Sequence, residues 1–250
     1  MLHLLRRHPI AVTAFFRQAL VLTYALPQEI LEPLLPEGLV LDLWRGFGFL
    51  AIALVQTERL RPSFLPAWAG CDFFLSGYRI FTRLSGGESL RGLRILRSDT
   101  DRRFMVTAGN LLTHYNYEWC EAKLEQRGSG IEREIEWRVR TPRGDADLDV
   151  VARLGGQIPA LPAGSPFTSM AEARRFAGPL PYTFDYEEET RAIIGIHAVR
   201  EEWHPKPVAA EVRQATFLGR EPFCRCRPIL ASAFYVEGVP YCWQRGRRMA

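Results

Sequence analysis

The segment 131–140, IEREIEWRVR, sets Ile135, Trp137 and Val139 on one side of an extended chain and Glu134, Glu136, Arg138 and Arg140 on the other. Side chains of a strand point alternately to its two faces, so this pattern predicts a sheet with one dry and one wet face. Much of the chain is punctuated in the same way, as apolar stretches of strand length between Gly- and Pro-containing turns. Hairpins are predicted between Leu39–Trp44 and Phe47–Val55 at Arg45 and Gly46, between Tyr78–Leu84 and Leu90–Arg97 at Ser85, Gly86 and Gly87, and between Glu118–Gln126 and 131–140 at Gly128–Gly130. Further strands are expected over Arg191–Arg200, Pro207–Thr216 and Ala231–Trp243. Helices are few: Gln28–Leu35, shortened by Pro33, Phe104–Leu112, and one capped by Thr168 or Ser169 that ends near Gly178. Thr57–Gly70, with Pro62 and Pro66, reads as a surface excursion.

Composition narrows the function classes. With 250 residues, 47% hydrophobic, the chain can bury a sizeable core, and residues 1–250 are expected to form one domain. The Pro- and Gly-rich run Gly155–Pro166 is then a long loop within it, and about 244–250 a basic tail. The net charge is +4, but 28 acidic residues are mixed with 32 basic ones, so no nucleic-acid partner is expected. The apolar runs Ile10–Phe16 and Ala19–Leu26 are split by Arg17 and Gln18 and are too short to span a bilayer, so no membrane partner is expected either. Five cysteines without framework spacing suggest a reducing, cytoplasmic setting. Cys224 and Cys226 lack a second pair at zinc-site spacing and read as buried strand thiols, so neither metal nor cofactor is expected. Phosphate-loop, nucleophile-elbow and dinucleotide patterns are missing.

Polar chemistry concentrates in Ser98–Tyr117, SDTDRRFMVTAGNLLTHYNY. Asp99 and Asp101 precede the predicted helix 104–112 and can cap it; alternatively one of them exchanges protons. Asn110 and His114 are four residues apart, and His114, Asn116 and Glu118 share a face opposite Tyr115 and Tyr117 if a strand begins at Thr113. These groups either satisfy backbone at a helix-to-strand junction or line a site with His114 as a proton-transfer residue. Arg79 lies on a predicted strand with Phe81 and Arg83, and an inward-facing arginine there could hold a carboxylate bidentately.

Several patterns in sequence order, LPQEILEPLLPEGLVLDLWRGFGFLAIALV, YRIFTR, GLRILRSDTD and ASAFYVEGVPYCW, together resemble the YqjF-like uncharacterised family, grouped with acetoacetate-decarboxylase-like β-barrels. The resemblance covers roughly Phe16 to Trp243. It implies a mainly β, β-rich α+β fold: a closed, strongly bent antiparallel β-barrel with a few short marginal helices and an interior cavity. Decarboxylases of that fold form a Schiff base through a strand lysine, and the corresponding run here, Leu93–Asp99, holds arginines instead. Only Lys123 and Lys206 exist in the chain, in a Glu-flanked strand and a WHPKP run, where both are expected to be solvated.

The sequence thus points to a barrel whose pocket takes a small carbonyl or carboxylate compound. If it is an enzyme, it is lyase- or hydrolase-like on a small organic acid and works without an imine. In that reading His114 and Asp99 are the catalytic candidates, and Arg79, Asn110, Asn116 and Tyr115 the ligand-binding ones. The alternative is a non-catalytic small-molecule-binding barrel. A homo-oligomer is compatible with either.

Overall fold

In the computed structural model, which describes residues 2–86, 90–130, 132–156, 159–178, 180–200 and 203–249, the chain is mainly β. The strands are β1 (Val12–Pro27), β2 (Leu39–Leu41), β3 (Phe47–Pro62), β4 (Cys71–Leu84), β5 (Arg91–Thr100), β6 (Tyr117–Trp119), β7 (Glu121–Ser129), β8 (Glu132–Arg140), β9 (Leu148–Leu154), β10 (Tyr182–Glu187), β11 (Ala192–Val199), β12 (Lys206–Pro207), β13 (Ala209–Ala215), β14 (Ile229–Trp243) and β15 (Arg247–Arg248). Among the described residues the α-helices are α1 (Leu2–Leu5), α2 (Gln28–Leu31), α3 (Arg103–Leu112) and α4 (Met170–Phe176). Among the described residues no helix is long and apolar enough to cross a membrane.

The large sheet runs β12-β14-β1-β3-β4-β5-β10-β11-β15, and a smaller one runs β13-β9-β8-β7. At the far end of the large sheet, Ala198 and Val199 of β11 pair with Trp243 and Cys242 of β14. Most pairs are antiparallel, but β5 pairs in parallel with both β6 and β10. β10 enters the sheet only after the chain has returned from β7, β8, β9 and α4.

Alternation along the long central strands gives the large sheet two different faces. Leu20, Leu22, Leu50, Ile52, Leu54, Tyr78 and Ile80 face the smaller sheet and pack on its Ile135, Trp137, Val139, Val150 and Ala152. The Trp137 ring lies 5.6 Å from that of Phe74, and Tyr78 Oη donates to the Ala146 carbonyl at 3.1 Å. Each such buried side chain stabilises the fold by about 1.5–3 kcal/mol, so this dry layer is the main apolar store. The 131–140 pattern reads true: Ile135, Trp137 and Val139 are buried, while Glu136 on the opposite face is held by Arg138 and Arg213. Ile131 and Gly87 lie outside the described residues.

Other expectations change in detail. Arg45 and Gly46 do turn the chain with positive φ, and Trp44 bridges Phe47. β2, however, leaves that hairpin to pair with β4, and buried Asp42 just after it is bound by Arg83 and Arg91. Thr57–Pro62 is not a surface excursion but the end of β3, which stays paired to β1 through shifts in register. Gln28–Leu35 divides into α2 and a 3-10 turn at Glu32–Leu34, as Pro33 demands. Cys224 and Cys226 sit on a 3-10 turn with Cys224 exposed, not on a strand. The basic end folds back, since Arg247 and Arg248 pair with Gly195 and Ile194.

Candidate functional site

The other face of the large sheet borders a cavity of about 300 Å³. Its floor comes from Ala19, Ala51 and Ala53, small residues at the middle of β1 and β3, and from Ser98 on β5, with Gly77 of β4 across from Ala53. Larger residues at those positions would fill the space, as Phe49, Phe81, Phe167 and Phe176 fill it farther along. Phe16, Phe73, Trp203 and Trp243 supply apolar walls, and α3 covers one side with Met105, Ala108 and Leu112.

Into this cavity β4 turns Arg79, one alternation beyond Gly77. A Cβ on Gly77 would stand 2.7 Å from Arg79 Nε and 2.9 Å from Nη2, so the missing side chain is the berth of the guanidinium. Nε is fully enclosed without a hydrogen-bond partner, and no carboxylate is paired with Arg79 among the described residues. Burial pulls its pKa down, while Tyr241, Tyr117 and Tyr115 oppose that shift and Arg200 adds to it. Arg200, also at the cavity, donates to Tyr241 Oη at 2.8 Å and to the Leu180 carbonyl at 2.6 Å, and stacks on Trp203. Among the described lining residues there are three arginines, Arg61, Arg79 and Arg200, and no aspartate, glutamate or lysine.

Tyr115 and Tyr117 complete the polar wall. Tyr115 Oη is buried without a partner, and burial raises its pKa well above the usual phenol value. Tyr117 is pushed up to about 12 by burial, with Arg79 pulling the other way. Asn110 fixes Tyr117 from α3, since its side chain donates to the Tyr117 carbonyl at 2.9 Å and accepts from the Tyr117 amide at 2.8 Å. Gly109 permits the close approach, because a Cβ there would lie 2.3 Å from the Tyr117 ring.

The candidate residues therefore separate. Arg79 and Tyr115 line the cavity, and Asn110 acts on it through Tyr117. Asn116, with φ 51°, binds the Leu96 carbonyl at 2.9 Å and is exposed; it makes the junction turn, a conformation Asn tolerates. His114 does not line the cavity. Its Nδ1 and its backbone N–H both lie 2.9 Å from Asp185 Oδ2, and Arg94 reaches the other oxygen at 2.8 Å.

Asp99 points to the face opposite Ser98, bonded to Arg97 at 2.7 Å and to Ser76 at 3.1 Å. Burial lifts its pKa to about 6 against the pull of Arg97, which is shared with Asp145 and Glu118. Neither Asp99 nor Asp101 caps α3, whose N-cap Arg102 makes no side-chain cap bond; Asp101 instead accepts from the Phe74 amide. Lys123 and Lys206 are both exposed.

Sequence reasoning missed His8, Arg200, Tyr117 and Tyr241 as cavity residues. Tyr117 was foreseen only as a neighbour on the Tyr115 face. Nothing local marks the others, since they meet only when the N-terminal segment, β11 and β14 converge. Among the described residues no group of His, Cys, Asp and Glu side chains could hold a metal ion.

Solved structures with this arrangement of strands are acetoacetate-decarboxylase-like. An acetoacetate decarboxylase from Legionella pneumophila subsp. pneumophila str. Philadelphia 1 superposes with a TM-score of 0.62 at 11% identity, over 97% of this chain and 88% of that one. An acetoacetate decarboxylase-like enzyme from Sphingomonas wittichii RW1 gives 0.63 at 13%, over 98% and 94%. The enduracididine biosynthesis enzyme MppR, complexed with pyruvate, gives 0.66 at 11%, over 97% and 91%. At these identities the likeness establishes the fold. No curated protein matches the chain by sequence. A family match does, over residues 13–240, and the chain belongs to that family, DUF2071, described as "Uncharacterized conserved protein (COG2071)".

Proposed function

We propose that the cavity binds a small, partly apolar carboxylate, with Arg79 as its anion anchor and no covalent imine. The observation that carries this reading is a partly buried guanidinium whose Nε is enclosed without a partner and that lacks a counter-ion among the described residues, in a cavity whose described lining has no acidic side chain. A buried, unpaired cation is costly, and a carboxylate from outside would relieve that cost through a forked pair of charged hydrogen bonds. The aromatic and aliphatic walls suit an apolar remainder, and the tyrosine hydroxyls suit a second oxygen such as a carbonyl. Acetoacetate and pyruvate, carried in the names of the structural neighbours, are small carboxylates of that kind. An imine has no amine to form on, because both lysines of the chain are exposed and neither lines the cavity.

We read residues 1–250 as one domain, with the two-residue contact between β11 and β14 completing a barrel around the cavity. The ligand-binding part of the reading is tested by calorimetric titration of the purified chain with short-chain carboxylates and their 2-oxo counterparts, together with native mass spectrometry for a co-purifying acid. Binding that survives Arg79→Met unchanged would sink it.

A further inference from the structure

Arg7–Ile10 lies outside the sheet, and such segments stay loose unless something ties them down. Three devices tie this one. Arg7 forks onto Glu187, Nε to Oε1 at 2.7 Å and Nη2 to Oε2 at 2.5 Å. The Glu187 side chain is wholly buried, and its bond to Arg7 holds it down at about 2. The His8 amide donates to the Leu112 carbonyl at the end of α3 at 2.9 Å, and its carbonyl accepts from the Gly246 amide at 3.0 Å. Gly246 is needed for that approach, because a Cβ there would stand 2.0 Å from the Arg7 carbonyl oxygen.

The fastening ends in a left-handed backbone at His8, φ 54°, immediately before Pro9. Non-glycine residues adopt that conformation uncommonly, and such residues gather at functional sites. Its product is an imidazole in the cavity wall, 8% exposed, with Nδ1 enclosed and without a hydrogen-bond partner.

The other ionisable groups of the described wall cannot exchange protons readily near neutrality. Guanidinium groups do not serve as proton acceptors. Burial holds Tyr115 and Tyr117 in their protonated forms and pushes the Cys71 thiol up. Imidazole is the side chain whose ordinary range spans neutrality.

We propose that His8 is a catalytic base of this cavity, taking a proton from the carbon beside the carbonyl of a 2-oxo acid that Arg79 anchors; this rests on the carboxylate-binding reading above. The C–H bond breaks, an imidazole nitrogen takes the proton, and the electron pair forms the C=C bond of an enolate. The donors available to the enolate oxygen are the cavity's guanidinium and tyrosine hydroxyls. Return of a proton from the imidazolium to the same carbon closes the cycle, so no oxidant or co-reactant is consumed. In D₂O the returned atom is deuterium. Burial lowers the His8 pKa and favours the neutral, accepting form, against the carbonyls of His8 itself, Gln244 and Ile10 and the charge of Asp185.

The test uses the full chain with 4-methyl-2-oxopentanoate, read by proton NMR in D₂O for loss of the C3 hydrogens and by calorimetry for binding. Wild type should exchange them well above the buffer rate. His8→Asn, which tolerates the left-handed backbone, should keep the affinity and lose exchange by about 100-fold. His8→Gln, made in parallel, guards against a variant that fails to fold. Exchange that persists in both variants, exchange lost in His114→Gln instead, or a wild type that binds the acid without exchanging it overturns the proposal. If the acid does not bind at all and Arg79→Met changes nothing across the carboxylate series, the binding reading falls and the proposal with it.

Discussion

The two faces of one sheet, β1 to β5, are built from the same strands by the same alternation, and yet they do opposite work. Facing the smaller sheet, Leu22, Ile52, Leu54 and Tyr78 interdigitate with Ile135, Trp137 and Val150. Facing inward between them, Ala51 and Ala53 leave space and Gly77 makes room for the Arg79 guanidinium. The dry face uses its side chains to hold the fold. On the cavity face, packing is given up and a guanidinium and three tyrosines border the open space. The same pleat therefore separates a packed layer from a cavity at intervals of one residue.

Four measurements would break or sharpen that division. The largest stability effect is expected on the dry face, where Trp137→Ala should cost about 3–5 kcal/mol in denaturant unfolding. A loss below about 1 kcal/mol would mean the inter-sheet layer is not the main store of stability. On the cavity side, Arg79→Met should weaken carboxylate binding by about 2–3 kcal/mol while leaving the melting temperature unchanged or higher, since it removes a buried charge without a counter-ion. A marked fall in melting temperature would instead make Arg79 a structural residue.

Adding volume gives a matched pair. Ala152→Leu enters the filled inter-sheet layer and should cost about 1–3 kcal/mol. Ala53→Leu, directly across from Gly77, enters open space, so it should leave thermal stability nearly unchanged and abolish ligand binding. Equal destabilisation by the two would deny that the faces differ in packing.

The smallest effect concerns pH. Glu187 is held at about 2 in the folded chain, below the ordinary glutamate value of 4.5, chiefly by its bond to Arg7. Its stabilising contribution is therefore present above pH 4.5 and is lost as the pH falls from there toward 2. Glu187→Gln should lower stability at pH 7 by about 1–2 kcal/mol and flatten the decline between pH 4.5 and 2. An unchanged acid limb in urea titrations would show that the fork tying the N-terminal segment to the cavity rim adds nothing.

Strand alternation made β8 readable, because the pattern of a half-buried strand is written in neighbouring residues, while parts of β4 and β14 were read from their apolar runs and bounding turns. β10 was not foreseen. Its Asp185 and Glu187 are polar in the sequence but buried in the fold, and the groups that neutralise them, Arg94 and Arg7, lie 91 and 180 residues away. β9, Leu148–Leu154, buries Val150, Val151 and Ala152 in succession and so lacks the clean period that would have flagged it. The site divides for the same reason. Arg79 could be chosen from its strand and neighbours, whereas His114 and Asp99 have the right chemistry and point elsewhere, His114 into a hydrogen bond with Asp185 and Asp99 into an ion pair with Arg97 and a hydrogen bond from Ser76.

By itself, the sequence determined a mainly β chain with short helices, the turns at Arg45–Gly46 and Gly128–Gly130, a cap at Thr168 or Ser169 that the structure assigns to Ser169, and the scarcity of lysine. These are properties of residues a few positions apart, where backbone sterics and side-chain period act locally. Only the tertiary structure decided which polar groups share a space. Arg79, Tyr115, Arg200, Tyr241 and His8 come from strands and segments up to the full length of the chain apart, and their meeting depends on sheet register. In a pleated sheet, a shift of one residue turns a side chain from the cavity to the opposite core.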